Sequence, residues 1–191
     1  MTKLLDIDLR STVPGPEARP HQADLNRLFD DPGYGLCRGQ SQASLWGRVR
    51  VSLVDDRESP PGLTDFMRTV PFYMVSRRFV DVLQRHDCKC EYLPLEATYK
   101  RKELPGEFFA LNVLKIQKSA ADLDRSVFDK RHFEFGLMED VEKLVLKDDP
   151  LAGAPLAYLR EILQIAVSDD LAKDLAQLTG VRLVDPQAFT S

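Results

Sequence analysis

The chain has 191 residues, of which 43% are hydrophobic and 29% are charged, and its net charge is −4. With a mean hydropathy of −0.27, this composition is typical of a soluble globular protein and argues against a disordered or membrane-embedded chain. No apolar stretch approaches the roughly 20 residues of a membrane-spanning helix, and Asp6 and Asp8 interrupt the segment where a signal peptide would be apolar. We therefore expect a cytoplasmic protein that has no contact with a membrane and whose three cysteines are free thiols.

The first third of the chain contains few regular patterns. Prolines and glycines recur every few positions in residues 1–45, so we expect an irregular N-terminal segment with one short helix at 22–29. From Trp46 onward the residues alternate, and Val49, Val51 and Leu53 share one face. This period predicts a half-buried strand. A charged, proline-broken loop follows, and then one helical turn is expected at 63–67.

The stretch from Val75 to Leu93 predicts the end of a strand, a helix, a turn and a second strand. Ser76 follows a β-type run and can accept hydrogen bonds from the first helical turn, so it is a good N-cap. Phe79, Val82 and Leu83 recur at helical spacing and form one apolar stripe.

The middle of the chain is predicted to contain more strands. Residues 108–116 are apolar at nearly every position, which favours a strand buried on both faces at the centre of its sheet. Phe133, Phe135 and Leu137 alternate with other residues, and this predicts a strand whose pairing continues at 141–146.

The stretch from Val167 to Val184 repeats the earlier pattern. Ser168 lies 92 residues after Ser76 and is again a good N-cap. The following strands match only after a slip of one residue, which pairs Cys90 and Tyr92 with Val181 and Leu183. Two copies are too few for a solenoid. We therefore predict a single α+β domain over 1–191, with mixed, mainly antiparallel sheets, flanking helices and two related strand–helix–strand units, whose strands we expect to share one sheet.

The segment His86-Asp87-Cys88-Lys89-Cys90 has the most reactive composition in the chain. It could bind zinc or present an activated thiolate, but structural zinc sites draw further ligands from a second cluster. The other cysteine and histidines, which are Cys37, His21 and His132, are isolated in the sequence. We therefore expect no metal site, and we interpret Cys90 as a buried structural cysteine.

Other patterns typical of enzymes are weak. The sequence contains no nucleophile elbow, Gly-rich phosphate loop, HExxH motif or dinucleotide-binding fingerprint. Paired carboxylates occur at Asp55-Asp56, Glu139-Asp140, Asp148-Asp149 and Asp169-Asp170. Turn chemistry explains Asp148-Asp149, and the helix dipole explains Asp169-Asp170. We predict no catalytic residue, no metal and no cofactor.

Two local basic clusters, Arg77-Arg78 and Lys100-Arg101-Lys102, occur in a chain that is negative overall. Nucleic-acid binding usually requires a domain-wide basic excess or an aromatic and basic module. Solvated surface is the simpler interpretation, and we expect no nucleic acid as a partner.

The order of these elements resembles a family of bacterial immunity proteins. The resemblance covers roughly 63–184 and depends on the Val75-Ser76 helix start, the Leu111-Asn112-Val113 strand, Pro155-Leu156, and a second helix that ends in Thr179-Gly180. That family, first described as a domain of unknown function, belongs to the polymorphic toxin systems of bacterial competition. No functional residue is carried over, because the shared positions belong to the core and to helix caps.

The resemblance implies a protein that binds one cognate toxin domain, of the contact-dependent or type VI secretion type, and neutralises it by occlusion. Two alternatives stay open. One is a small-molecule enzyme that uses His86, Cys88 or an acidic pair. The other is a nucleic-acid module that uses Arg77, Arg78 and the cluster at Lys100.

Overall fold

A computed structural model describes residues 2–7, 17–29, 35–54, 63–69, 71–104 and 106–190, and they adopt an α+β fold. The helices are α1 (Gln22–Phe29), α2 (Ala43–Trp46), α3 (Arg77–Arg85) and α4 (Asp169–Leu175), with 3-10 helices at Lys130–Phe135 and Pro186–Ala188. The strands are β1 (Lys3–Ile7), β2 (Glu17–Pro20), β3 (Arg50–Val54), β4 (Phe66–Arg68), β5 (Tyr73–Ser76), β6 (Cys90–Tyr99), β7 (Lys102–Glu103), β8 (Phe108–Val113), β9 (Ile116–Gln117), β10 (Val127–Asp129), β11 (Glu139–Lys143), β12 (Leu156–Leu159), β13 (Gln164–Val167) and β14 (Val181–Val184).

The strands form two large sheets and one small one. The first large sheet has the order β2-β3-β6-β8-β5-β4, with β7 paired to β6, and it curls so that its edge strands β2 and β4 approach each other. The second has the order β14-β1-β13-β12-β9, and β10 pairs with β11 separately. Among the strand pairs of the described residues, only β3–β6 and β9–β12 are parallel. The sheets are therefore mixed and mainly antiparallel, as predicted.

Each large sheet contains one of the predicted strand–helix–strand units. In the first unit β5, α3 and β6 follow one another, and β8 lies between the two strands and is antiparallel to both. In the second unit β13, α4 and β14 follow one another, and β1 lies between them in the same way. A hairpin partner, β4 or β12, flanks each unit on the side of its first strand. The two units are thus related, but the expectation that their strands share one sheet is wrong.

The helices begin where the sequence predicted. The side-chain oxygen of Ser76 accepts a hydrogen bond from the backbone N–H of Phe79 at 3.3 Å, and that of Ser168 accepts one from Leu171 at 3.4 Å. The predicted slip of one residue is also present. Leu111 of β8 and Leu5 of β1 occupy the same place in their units, and they pair with Tyr92 and Leu183, which are one residue short of the 92-residue offset. Both serines are confirmed as N-caps.

The two units bury their helices in one shared core. This central core contains Phe79 and Leu83 of α3, Leu171 and Leu175 of α4, and the inward residues of both large sheets, including Leu5. The other face of the first sheet packs on a second core around Trp46 and Met74, and the other face of the second sheet packs on a third core around Leu144. Since strands alternate their side chains, each large sheet is buried on both faces.

Several predicted elements are confirmed and two are wrong. The helix at 22–29 forms as predicted, and β8 lies in the interior of its sheet with all six residues buried. Residues 66–68 form strand β4 rather than a helical turn, because they pair with β5 as a hairpin. The strand expected at 133–137 is replaced by a 3-10 helix. The carboxylate of Asp129 caps its start, and Gly136 ends it in the left-handed region at φ 72°.

The N-terminal segment supplies strands that its proline-rich sequence does not reveal. Residues 3–7 form β1, the middle strand of the second unit, and residues 17–20 form the edge strand β2. The second unit therefore combines strands from near both ends of the described chain, because β1 pairs with β14.

Candidate interaction surface

The residues from His86 to Cys90 make separate contacts in the structure. The Nε2 atom of His86 lies 2.9 Å from a carboxylate oxygen of Asp174, so the histidine joins the end of α3 to α4. This hydrogen bond holds the pKa of Asp174 below its usual value. His21 lies elsewhere, against Ser52 at 3.0 Å, and the side chain of His132 is outside the described residues. Among the described residues, no group of three or more metal-ligand side chains could hold an ion.

The three cysteines are free thiols that lie together beside the central core. Cys37, Cys88 and Cys90 all pack against the central core. Burial raises the pKa of the Cys37 thiol to about 11, and burial together with the carboxylate of Asp87 raises that of Cys88 to about 12. Burial raises the pKa of Cys90 as well. Since the thiolate is the nucleophile, these neutral thiols are poor candidates for covalent chemistry.

The described acidic pairs lie on the surface in separate places. Glu139 and Asp140 are exposed at the start of β11, and Asp148-Asp149 lie in the loop before β12. Asp169-Asp170 occupy the first turn of α4, where Asp170 is paired with Lys173 at 2.9 Å. The Asp55-Asp56 pair lies outside the described residues. These positions indicate solvated loops and a helix terminus.

The two basic clusters lie in different surroundings. Arg77 forms an ion pair with Glu107 and lies 4.5 Å above the ring of Phe109. Arg78 lies 3.4 Å from the carboxylate of Asp65. Lys100 and Arg101 form the exposed turn between β6 and β7, where their φ angles are 47° and 64°. Only the second cluster displays its charges at the tip of a hairpin.

A buried carboxylate that the sequence did not predict joins the two units. Asp65 accepts a hydrogen bond from the Ser76 hydroxyl at 2.6 Å, and it accepts two from the N–H and hydroxyl of Thr179, both at 2.9 Å. Burial alone would raise the pKa of Asp65, but these hydrogen bonds hold it below the usual value. Gly180 lies at the same junction, where a Cβ atom would lie 2.5 Å from the carbonyl oxygen of Phe66. Asp65 thus ties the cap of α3 to the segment after α4.

A second polar junction holds the segment at 35–46 against the first sheet. The fully buried side chain of Asn112 accepts from the N–H of Cys37 at 2.8 Å and donates to the carboxylate of Glu91 at 2.9 Å. Glu91 also accepts from the N–H of Gln42 at 2.8 Å. The sequence placed Asn112 only within the Leu111-Asn112-Val113 strand and did not predict these contacts of Asn112 and Glu91, because their partners come from a distant segment.

A groove of about 700 Å³ lies where the N-terminal residues meet the loop at 144–150 and the C-terminal residues 185–188. Two lysine side chains that line the groove have partners. Lys3 forms an ion pair with Asp185 at 2.5 Å, and Lys147 donates a hydrogen bond to Ser119 at 2.6 Å. The groove therefore has mixed charge and an open shape, and it brings none of the predicted histidine or cysteine residues together.

Large apolar side chains reach the surface at three described positions. Leu45, Val127 and Leu163 are 41%, 48% and 49% exposed. Of these, Leu163 is unusual because its φ is 52°, in the left-handed region. Exposed apolar groups on rigid elements can supply contacts to another protein.

Comparison with known families places the chain in one family. None of the described helices has the length and apolar character needed to cross a membrane. No curated protein matches the sequence. The model of the immunity protein family Imm11 matches residues 3–189, so it includes β1 as well as the region in which the resemblance was found. The chain belongs to the Imm11 immunity protein family.

Proposed function

We propose that this protein binds the toxin domain of a bacterial competition system, of the contact-dependent or type VI secretion type, and neutralises it by occlusion in the cytoplasm. The family match over residues 3–189 is the observation that carries the proposal. An occluding inhibitor needs a stable surface complementary to its target and requires no chemistry of its own.

The internal connections of the fold support a rigid inhibitor. Asp65 joins the two units, Asn112 and Glu91 hold the segment at 35–46, and both central helices have side-chain caps. A surface held in this way loses little conformational entropy on association. Tight binding from an interface of ordinary size then needs no coupled folding.

The chemistry of the reactive residue types favours an inhibitor over an enzyme. His86 is engaged with Asp174, and the thiols of Cys37 and Cys88 have raised pKa values. The arginines at the start of α3 are likewise engaged by Glu107 and Asp65. We expect neither catalysis nor nucleic-acid binding to contribute to protection.

Co-expression tests the proposal directly. The product of the adjacent gene, as the candidate toxin, is expressed with and without the protein, and growth and complex formation are measured. We expect restored growth, together with co-elution of the two proteins on size exclusion. Continued growth arrest without a stable complex would contradict the proposal.

Stoichiometry separates occlusion from enzymatic detoxification. Titrating purified toxin with this protein should reach full inhibition near one equivalent, whereas an enzyme would act at a small fraction of one equivalent. The variants His86→Ala and Cys88→Ala are matched controls, because they remove the residues that the enzyme alternative needs. Both variants should protect as well as the natural sequence when their folded fractions are equal.

A further inference from the structure

The β6–β7 hairpin turns through two residues that do not suit its backbone. Tyr99 pairs with Lys102, so Lys100 and Arg101 alone form the turn. Their φ angles of 47° and 64° both lie in the left-handed region, as in a type I′ turn. Asparagine and glycine adopt this conformation readily, whereas side chains with a full Cβ substituent are disfavoured. In the described chain, these are the only two adjacent non-glycine residues with positive φ.

The charges at this turn are not neutralised within the described structure. Lys100, Arg101 and Lys102 are all exposed, and among the described residues no carboxylate forms an ion pair with them. Eight other arginines do form an ion pair with a carboxylate of the protein, and they are Arg48, Arg50, Arg77, Arg78, Arg85, Arg125, Arg131 and Arg182. The hairpin tip therefore presents three adjacent cations to a partner.

The tip projects from a rigid base. Strand β6 has ten residues and lies between β3 and β8 in the first large sheet. Tyr99 is buried in the second core, and the Nζ atom of Lys100 lies 5.3 Å from the centroid of its ring. After the turn, the backbone N–H of Leu104 donates to the carbonyl of Ala97 at 3.0 Å. Because the backbone is fixed, binding at the tip orders side chains alone and loses less entropy than binding by a flexible loop.

The size of this charged tip fits a few carboxylates better than a nucleic acid. Double-stranded DNA carries one phosphate charge per roughly 1.7 Å of its axis, so it extends past a turn of two residues. Its other phosphates would then meet a molecule whose net charge is −4. A few carboxylates on a protein surface present their charge only locally. Arg101 can donate two parallel hydrogen bonds to one carboxylate, and the lysines on either side can contact others.

We propose that the hairpin tip formed by Lys100, Arg101 and Lys102 contacts a local acidic patch on the toxin domain, with the guanidinium of Arg101 paired to a carboxylate. The net negative charge of the molecule attracts a toxin that is basic overall, and the tip, which has the opposite sign, selects the orientation in which that toxin docks. This inference rests on the proposed function for the nature of the partner, and it adds the place and the chemistry of one contact.

The double substitution Lys100→Asn, Arg101→Gly tests the contact while sparing the fold. It removes two positive charges and supplies the residues that a type I′ turn favours, so the thermal midpoint should be unchanged or higher. The affinity for a catalytically inactive form of the toxin, measured by calorimetry at about 150 mM salt, should fall at least tenfold. If the turn had only a structural role, the affinity would stay the same or rise.

Two further variants separate the local contact from the total charge. Lys118→Gln combined with Arg160→Gln also removes two positive charges, from exposed side chains that form no ion pair among the described residues. This matched control should change the affinity less than threefold. Arg101→Lys keeps the charge and loses the planar pair of donors, so it should weaken binding several-fold.

Carbodiimide cross-linking of the unaltered protein adds an independent measurement. The reagent activates a carboxylate and couples it to a neighbouring lysine amine as an amide. Mass spectrometry of the complex should find Lys100 or Lys102 joined to an aspartate or glutamate of the toxin. Unchanged affinity of the double variant, or the absence of these cross-links, would overturn the contact and leave the proposed function intact.

A fluorescent DNA duplex tests the competing partner at the same salt concentration. We expect no binding of the duplex to the unaltered protein. Binding that the double variant loses, while its affinity for the toxin is unchanged, would overturn the contact in favour of a nucleic acid. Failure of the unaltered protein to bind the toxin would instead overturn the proposed function.

Discussion

The two cap serines are chemically alike but differ in what else they hold. Ser168 accepts from the N–H of Leu171, whereas Ser76 accepts from Phe79 and also donates to buried Asp65. Ser168→Ala should therefore lower the free energy of unfolding by about 1 kcal/mol, the usual value for a lost cap. Ser76→Ala should lower it by roughly 2–4 kcal/mol, because a hydrogen bond to a buried carboxylate is lost as well. Urea denaturation measures both, and equal losses would contradict this role of Asp65.

Asp65 should make the protein sensitive to acid. Its pKa is lowered in the folded state, so its stabilising effect is complete above the unfolded value of about 3.9 and is lost as the pH falls through the folded value. Asp65→Asn should destabilise the protein at pH 7, because an amide has only one oxygen and cannot accept from both Ser76 and Thr179, as the two carboxylate oxygens do. The difference in unfolding free energy between Asp65→Asn and the natural sequence should shrink as the pH falls from about 4 through the lowered folded pKa of Asp65. A constant difference would show that the charge of Asp65 does not matter.

Sequence reasoning at the residue scale succeeded where the interaction is local. Ser76 and Ser168 contact N–H groups three residues away, so the pattern contains both partners. Asp65 could not be predicted in the same way, because its partner Thr179 lies 114 residues further along the chain. The exposed Leu163 was also missed, since a single leucine in a loop carries no periodicity.

At the scale of elements, the second unit depends on β1. Leu5 of β1 pairs with both Ile165 and Leu183, and Leu111 of β8 occupies the equivalent place in the first unit. Both leucines are at most 1% exposed. Leu5→Ala and Leu111→Ala should each cost about 2–5 kcal/mol, the usual range for a core leucine. Chemical denaturation tests this, and a Leu5→Ala cost below about 1 kcal/mol would show that β1 is peripheral.

The sequence predicted strands correctly where buried residues recur regularly or continuously over several positions. The alternation at Val49, Val51 and Leu53 and the apolar run of β8 both correspond to observed strands. The alternation at 133–137 was misleading, because a cap at Asp129 and a left-handed Gly136 enclose a 3-10 helix of six residues. The pairing of β1 with β14 could not be predicted, since strand partners depend on how distant segments pack.

At the scale of the whole molecule, the shared core predicts cooperative unfolding. Residues of α3, α4 and both large sheets pack in one cluster, so neither unit can lose its packing alone. Fluorescence of Trp46, which packs against the first large sheet, and far-ultraviolet circular dichroism, which reports all elements, should therefore give coincident urea transitions. Separate midpoints would indicate that the chain unfolds as more than one domain.

The charge of the molecule should affect how fast it meets its toxin. The net charge is −4, and Glu139 and Asp140 are exposed, so a basic toxin would be attracted over distances of about 10 Å at moderate salt. Raising salt from about 50 to 150 mM should slow association several-fold and change dissociation much less, because long-range attraction acts before contact.

Stopped-flow measurements with an inactive toxin test this electrostatic attraction. Glu139→Gln combined with Asp140→Asn should lower the association rate at low salt and flatten its salt dependence. Lys143→Gln, on the same strand β11, is the control. It removes a positive charge and should therefore raise the association rate. An association rate that is independent of salt, or one that these three substitutions leave unchanged, would show that the acidic surface does not steer the encounter.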